Sequence, residues 1–158
     1  MSITAIQDCY PEELSHCYGC GSNNPQGHQL KSYWQGESAI AHFTPKEHHI
    51  AIPGFVYGGL IASLIDCHGT ASASAAAYKA ANRPIGSLPA LRFVTGSLKV
   101  DYKAPTPLGT ELTLTSNIVE VKERKVIVDV SVTANNIVCA LGQVIAVKMP
   151  DSMSPQQA

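Results

Sequence analysis

The second half of the chain carries four long segments in which apolar and polar residues partly alternate. These segments are 91–102, 111–121, 126–134 and 138–148. They are rich in Val, Ile and Thr, which is typical of half-buried β-strands. The turn-forming residues between them are Pro105, Pro107 and Gly109, then residues 122–125, then Asn135 and Asn136. We therefore predict four antiparallel strands that follow one another as a meander.

One long helix is predicted ahead of these strands. Apolar residues recur there at three- and four-residue spacing, which indicates a helix with one apolar stripe. The stripe consists of Leu60, Leu64, Cys67, Ala71 and Ala75. The alanine-rich run after it favours helix, and the turn around Pro84 follows a predicted end near Asn82. The pattern predicts a helix over residues 56–81.

The first part of the chain adds two short strands and an irregular lead-in. Residues 30–34 and 39–44 flank Gly36 as a predicted hairpin. We therefore predict an α+β fold, a six-stranded antiparallel sheet that covers its apolar face with one long helix. The predicted division is a lead-in over 1–28, a single domain over 29–150 and a polar tail over 151–158.

Composition narrows the function classes. The 158 residues are 45% hydrophobic and carry a formal net charge of −1, so we predict no nucleic-acid partner. No apolar run approaches the roughly 20 residues of a membrane span, and the N-terminus lacks the pattern of a signal peptide. Five cysteines, an odd number, suit a reducing compartment. We expect a cytoplasmic protein with no membrane contact.

Two glycines and one acidic residue of the predicted helix carry candidate chemistry. Gly58 and Gly59 stand at its start, where backbone amides lack intrahelical partners and favour negative charge. Asp66 lies within an otherwise apolar helix, where an unemployed carboxylate is uncommon. Gly58 and Asp66 are eight residues apart, or about 12 Å at roughly 1.5 Å per residue. One helix therefore cannot bring both groups to the same carbonyl carbon. If the chain is an enzyme, we predict a two-fold dimer in which each active site combines Gly58 of one subunit with Asp66 of the other.

Three motifs in this order resemble a known family. The stretch YGGLIASLIDCHGTASA resembles the helix motif of PaaI-like thioesterases, and LKVDYKAPTPLG resembles the strand and turn after it. The segment CYGCGSNNPQGHQL is similar to the opening of one subgroup of hotdog acyl-CoA thioesterases. The resemblance implies a hotdog fold, a single long helix wrapped by the sheet. It also implies hydrolysis of acyl-CoA without a cofactor, by a homodimer or a dimer of dimers.

The resemblance also assigns roles to individual residues. Gly58 matches the glycine whose amide polarises the thioester carbonyl, and Asp66 matches the acidic nucleophile or base. Thr95 falls where the family often has a hydroxyl that orients water. The family's usual His before the glycines is Tyr57 here, and an Asn of the preceding loop aligns with Ala51. We assign substrate contacts to Gly59, to Tyr57 and to His49, which lies close to that loop position.

Other polar residues are also assigned. Thr70 follows Asp66 by one turn, so we assign it as a catalytic residue whose hydroxyl contacts the carboxylate or the substrate. Lys99, Arg124 and Lys125 are either solvated surface charges or contacts for the CoA phosphates. His68 is two residues past Asp66 and lies on another helix face, so we predict a structural role for it.

No metal site is predicted. Cys17 and Cys20 form a C-x-x-C with His16 and His28 nearby. A structural zinc site has four ligands, and no second C-x-x-C is present. We interpret the motif as a turn that anchors the lead-in, and Cys67 as a core residue.

Two other functions stay open from the sequence. A hotdog module that binds an acyl-CoA or an acyl ligand without catalysis is the main alternative, because Tyr57 replaces the usual His. A hydratase is less favoured, because Asp66 and His68 do not share a helix face. The acyl group and the choice between dimer and tetramer are not determined by the sequence.

Overall fold

The computed structural model of the protein describes residues 4–155. The first three residues of the predicted lead-in and the last three of the predicted tail lie outside the described residues. One long helix, α1, spans Gly58–Ala80. The strands are β1 Ser32–Gln35, β2 Ser38–Phe43, β3 Phe93–Tyr102, β4 Leu112–Val121, β5 Lys125–Ala134 and β6 Ile137–Lys148. The predicted α+β fold of one long helix on an antiparallel sheet is confirmed.

The sheet has the order β1-β2-β4-β5-β6-β3, and all neighbours are antiparallel. The meander prediction is correct for β4, β5 and β6 and wrong for β3, which pairs with β6 instead of β4. The connection after β3 is not a hairpin, because it is tied to the loop before the helix. Pro107 forms a bridge with Phe55, and the amide of Leu108 donates to the carbonyl of Gly54 at 3.0 Å. Since β3 pairs only with β6, it is an edge strand of the sheet.

Helix α1 is buried on nearly all sides. All five residues of the predicted apolar stripe are buried, but burial extends well beyond that stripe. The curved sheet covers one side, and Ile6 of the lead-in packs with Ala71 and Ala75 on another. The second half of the helix consists largely of Ala, Ser and Gly, so the sheet approaches its backbone closely. A Cβ atom at Gly69 would lie 2.4 Å from Cγ2 of Val144. Small residues thus substitute for amphipathic patterning in this helix.

A buried hydrogen-bond chain joins the lead-in, β1 and α1. Gln7 Nε2 donates to Ser32 Oγ at 3.0 Å, and the Ser32 amide donates to Gln7 Oε1 at 2.8 Å. His68 contacts Ser32 Oγ through Nδ1 at 2.8 Å and the Ala39 carbonyl through Nε2 at 3.1 Å. Because the carbonyl only accepts, Nε2 carries the proton. Burial lowers the pKa of His68 to about 4, and its predicted structural role is confirmed.

Four short 3-10 segments complete the described structure. They are Ile6–Cys9, Glu12–Leu14, Glu47–His49 and Asp151–Met153. The first two lie within the lead-in, which the sequence predicted to be irregular. Within residues 4–155, no helix is both long enough and apolar enough to cross a membrane.

Candidate active site

The start of α1 is closely packed around its two glycines. Tyr57 is the N-cap residue and makes no side-chain capping bond. Its ring lies against Gly59, where a Cβ atom would be 2.4 Å from the ring carbons. The hydroxyl of Tyr102, at the end of β3, donates to the carbonyl of Gly58 at 2.6 Å. The first amides of a helix lack intrahelical acceptors, so this end of α1 offers N–H donors to a ligand oxygen.

Tyr102 is a site residue that the sequence analysis did not identify. Its hydroxyl contacts Gly58 from β3, 44 positions later in the chain. Two facts were needed to find it: that β3 lies beside α1, and that Tyr102 points to the helix side of that strand. Neither fact is encoded in a local motif.

Asp66 is half-buried on α1, and its carboxylate is held by a residue of β3. The hydroxyl of Thr95 donates a hydrogen bond to Asp66 Oδ1. Burial raises the pKa of Asp66, while the hydrogen bond from Thr95 acts in the opposite direction. A raised pKa makes the ionised carboxylate a better proton acceptor. The structure therefore brings two of the predicted catalytic residues into direct contact.

A β-bulge in β3 sets the direction of the Thr95 side chain. Thr95 pairs with Ala146 and Ser97 pairs with Ile145, so Gly96 is the extra residue. A bulge reverses the alternation of side chains along a strand. Beyond it, Leu98 pairs with buried Val144 and faces the helix, as Thr95 does before it. Without the extra residue, Thr95 would face the helix while Leu98 would face away from it.

Gly58 and Asp66 lie on the same helix and are separated along its axis. The helix is continuous from Gly58 to Ala80, so eight residues correspond to about 12 Å at roughly 1.5 Å per residue. The side chain of Asp66 and the amide of Gly58 of one chain are therefore not adjacent to a single carbonyl carbon. The two candidate groups therefore lie at separate positions along one helix.

Three of the predicted substrate contacts line one cavity beside the helix start. His49, Tyr57 and Gly59 border a space of about 550 Å³, together with Leu60 and Ser63 of α1. The amide of Tyr57 donates to the His49 carbonyl at 2.8 Å, which ties the preceding loop to the helix. His49 Nδ1 accepts from the Lys46 amide at 2.9 Å, and burial lowers the pKa of His49. Burial therefore favours the neutral form of His49 in this wall of the cavity.

Thr70 requires a correction. Its hydroxyl donates to the main-chain carbonyls of Asp66 at 3.2 Å and Cys67 at 3.3 Å, and the side chain is buried. The expected contact with the Asp66 carboxylate is therefore wrong. A threonine inside a helix bonds readily to the carbonyl of the preceding turn, and that local bond is the one formed here.

The three basic residues assigned to CoA contacts lie away from the helix start within one chain. Lys99 follows the bulge on the outer face of the sheet, where its Nζ lies 3.5 Å from Asp101 Oδ2. Arg124 lies in the β4–β5 turn, and Lys125 is the first residue of β5. The neighbouring turn residues border a groove beside the C-terminal end of α1. The structure does not bring these three cations together with His49, Tyr57 and Gly59.

The C-x-x-C motif meets a third cysteine that the sequence analysis had placed in the core. The sulfur atoms of Cys17, Cys20 and Cys67 all lie within 4.8 Å of one another. Cys67 is buried in α1, directly after Asp66. Among residues 4–155, these three sulfur atoms form the one group of side-chain atoms that is close enough together to bind a metal ion.

Comparison with known proteins identifies the family of this chain. A family model described as the thioesterase superfamily matches residues 53–140. The chain is similar to a thioesterase superfamily protein from Shewanella loihica PV-4, with 53% identity and a TM-score of 0.68. This match covers 89% of this chain and 100% of that chain. No curated protein matches.

Two more distant structures share the fold alone. The Escherichia coli PaaI protein of the phenylacetic acid degradation operon is 14% identical with a TM-score of 0.64, over 78% of this chain and 81% of that chain. A Streptococcus mutans protein, solved bound to acetyl-CoA, is 18% identical with a TM-score of 0.62, over 76% and 88%. The central helix and its sheet are thus a shared framework.

Proposed function

Because the chain belongs to the thioesterase superfamily, we propose that it hydrolyses acyl-CoA thioesters to a free acid and CoA. The observation that carries the proposal is the contact between Thr95 and the half-buried carboxylate of Asp66. A carboxylate in an otherwise apolar helix is uncommon unless it is employed. Acetyl-CoA bound to the Streptococcus mutans protein of the same fold supports this class of substrate.

The proposed reaction needs a base and an oxyanion donor. Asp66 accepts a proton from a water molecule whose oxygen attacks the thioester carbon, or attacks that carbon itself to form an anhydride that water then cleaves. The amide of Gly58 donates to the carbonyl oxygen as negative charge develops on it. The carbon–sulfur bond breaks, and the CoA thiolate leaves and takes up a proton. One such donor contributes about 3 kcal/mol and a general base about 10²–10⁴-fold, which suffices for an activated ester.

A two-fold dimer would join the two halves of the site. β3 is an edge strand, and the outward backbone groups of such a strand are free to pair with a second copy. Antiparallel pairing of two β3 edges about a two-fold axis normal to the sheet places both helices on one face, in opposite directions. The start of one helix then lies toward the middle of the other. We propose that Gly58 of each protomer serves the Asp66 of its partner, in a homodimer that can pair into a dimer of dimers.

The test is a thiol-release assay with short, long and aromatic acyl-CoAs. We expect Asp66→Asn to lower kcat by about 10²–10⁴-fold with an unchanged circular dichroism spectrum. Asp129→Asn is the matched control, because Asp129 is exposed and bonds to Gln143 at 2.9 Å on the outer face of the sheet. Turnover by Asp66→Asn within a few-fold of the wild-type rate would refute the proposal.

A second candidate function is binding of an acyl-CoA or acyl ligand without hydrolysis. The observation that favours it is the ring of Tyr57, which lies against Gly59 at the helix start. In that case, calorimetry would detect acyl-CoA binding by the wild-type chain while no CoA thiol is released. Release of thiol that depends on Asp66 would exclude this alternative.

A further inference from the structure

Three cysteine sulfur atoms from two separate parts of the chain meet between the lead-in and α1. The Sγ atoms of Cys17, Cys20 and Cys67 lie within 4.8 Å of one another, and those of Cys17 and Cys67 are 3.8 Å apart. Zinc–sulfur bonds measure about 2.3 Å, so two sulfur ligands of a tetrahedral ion lie about 3.8 Å apart. A metal ion therefore fits between Cys17 and Cys67 without displacement of their sulfur atoms.

The loop that carries two of these cysteines is shaped to close on the third. A Cβ atom at Gly19 would lie 2.4 Å from the sulfur of Cys67, and one at Gly21 would lie 2.4 Å from the amide nitrogen of Cys17. The Gly19 amide donates to the Cys17 sulfur at 3.4 Å, and the Gly21 amide donates to the Cys17 carbonyl at 2.7 Å. Glycine at both positions is thus required for the approach of the sulfur atoms.

A cationic side chain beside the sulfur cluster makes no close ion pair, although the carboxylate of Asp66 lies within electrostatic range of it. The guanidinium of Arg92 stacks on the ring of Tyr10 at 4.2 Å and lies within electrostatic range of all three cysteines. Its Nη1 atom and the Tyr10 hydroxyl are buried without a hydrogen-bond partner among the described residues. No ion pair found between residues 4 and 155 includes Arg92. A largely buried charge of this kind is stabilised by negative charge nearby, and Asp66 supplies it only at longer range.

We propose that Cys17, Cys20 and Cys67 bind one thiophilic divalent cation of the zinc and cadmium type. Three sulfur–metal bonds form, and the protons of the thiols that ionise pass to solvent. Three thiolates and a divalent cation carry a net charge of −1, which is opposite in sign to the nearby charge of Arg92. Soft thiolate ligands select such metals over magnesium or calcium. Cys17 is half-buried, so water has access to the fourth coordination position from its side.

The bound metal would fasten the lead-in to the helix beside Asp66. Cys67 follows Asp66 directly in α1, and Cys17 and Cys20 belong to a loop more than 40 positions earlier. The proposal concerns structure and binding, and it does not rest on thioesterase activity. Its tests therefore use readouts other than turnover, so that either proposal can fail alone.

The first test titrates the reduced, chelator-washed full chain with cadmium and with zinc. We expect one metal ion per chain by elemental mass spectrometry and the ultraviolet charge-transfer band of cadmium thiolate. Cys17→Ser and Cys67→Ser should weaken binding by more than the roughly 10–100-fold that loss of a supporting group costs. Cys9→Ser and Cys139→Ser are matched controls with thiols outside the cluster, and both should bind like the wild type.

A second measurement on the wild-type chain removes the dependence on variant folding. Bound cadmium should block alkylation of Cys17 and leave that of Cys9 unchanged, and zinc should raise the Tm, as expected for a ligand of the folded state. Absence of stoichiometric binding by the wild type, or a disulfide between two of the three cysteines in freshly purified protein, would overturn the proposal. Equal binding by Cys67→Ser and Cys139→Ser would also overturn it.

Discussion

The Thr95 hydroxyl of an edge strand donates a hydrogen bond to the Asp66 carboxylate of the central helix. The two residues are 29 positions apart and belong to different elements, so their contact depends on how β3 packs against α1. The bond occupies Oδ1 of Asp66. In the proposed reaction it fixes the orientation of the carboxylate and leaves Oδ2 to accept the proton of water.

Replacement of Thr95 by valine tests this positioning. The variant keeps the shape of the side chain and removes the donor. We expect kcat to fall roughly tenfold, which corresponds to the lower end of the free energy of a hydrogen bond to a charged group, because Thr95 is exposed. The measurement is steady-state thiol release with acyl-CoA. Thr115→Val is the control on the exposed face of β4, and equal kcat values for the two variants would contradict the role of Thr95.

Gly58→Pro tests the amide donor at the helix start. Proline removes the N–H and is tolerated at the first position of a helix. Tyr57 has φ −60° and ψ 129°, a conformation that proline allows in the preceding residue. We expect a loss in kcat of about 10²–10³-fold, with the helix content retained by circular dichroism.

Gly58→Ala is the matched control for that variant. Its Cβ would lie 3.2 Å from the Tyr102 hydroxyl, as the proline Cβ would, but the N–H remains. Most of the wild-type kcat should therefore be retained. If alanine and proline reduce kcat equally, crowding against Tyr102 is the cause and the amide is not the donor.

Mixing two inactive variants tests the composite dimer site. A heterodimer of Asp66→Asn and Gly58→Pro has one site with both groups intact and one site with neither. After unfolding and refolding of an equal mixture, we expect about one quarter of the wild-type activity. Light scattering supplies the oligomeric state. Activity no higher than that of the separate variants, in a sample shown to contain mixed dimers, would contradict sharing of sites between protomers.

Tyr57→Ala tests the cavity wall. The Tyr57 ring borders the 550 Å³ cavity and is 58% exposed, so its removal should cost little stability. We expect a higher KM for acyl-CoA with kcat nearly unchanged, because contact with the bound substrate is lost equally in ground and transition states. A fall in kcat with constant KM would instead assign Tyr57 to the chemical step.

Ser32→Ala tests the buried chain between the lead-in and the helix. The variant leaves Gln7 Nε2 and His68 Nδ1 without the partner that Ser32 supplies. Each of the two unsatisfied buried groups costs about 1–3 kcal/mol, so we expect the free energy of unfolding to fall by about 2–6 kcal/mol. Urea titration followed by circular dichroism measures it. Ser131→Ala, on the outer face of β5, should change it by less than about 0.5 kcal/mol.

Local pattern was sufficient to predict the elements. Every predicted helix and strand boundary falls within two residues of the observed one. Hydrophobic periodicity and the turn-forming effect of glycine and proline both depend on a few neighbouring positions, so the sequence alone reveals them. The position of β3 beside β6 was not predictable in this way. It depends on strand pairing across the sheet and on the hydrogen bond from the Leu108 amide to the Gly54 carbonyl. The spacing of residues along the chain predicts neither of these contacts.

The candidate site shows the same limit. Asp66 and Gly58 are conspicuous within one motif, whereas the direction of Lys99 depends on a one-residue bulge at Gly96 that reverses the rest of β3. Cys67 occupies a core position by pattern, and its approach to Cys17 becomes visible only when the lead-in is folded onto α1. Contacts between distant segments require the packed structure.

The close approach of Gly69 to Val144 has a consequence for sequence variation. A Cβ atom at position 69 would lie 2.4 Å from a methyl group of that valine, so any larger residue there would push the helix away from β6. Asp66 lies three residues before Gly69 in the same helix, so the distance between Asp66 and Thr95 would change as well. A residue larger than glycine at position 69 should therefore be accepted only together with a smaller residue at position 144. In a library that varies both positions, the variants that fold should be those in which the two side-chain volumes compensate each other.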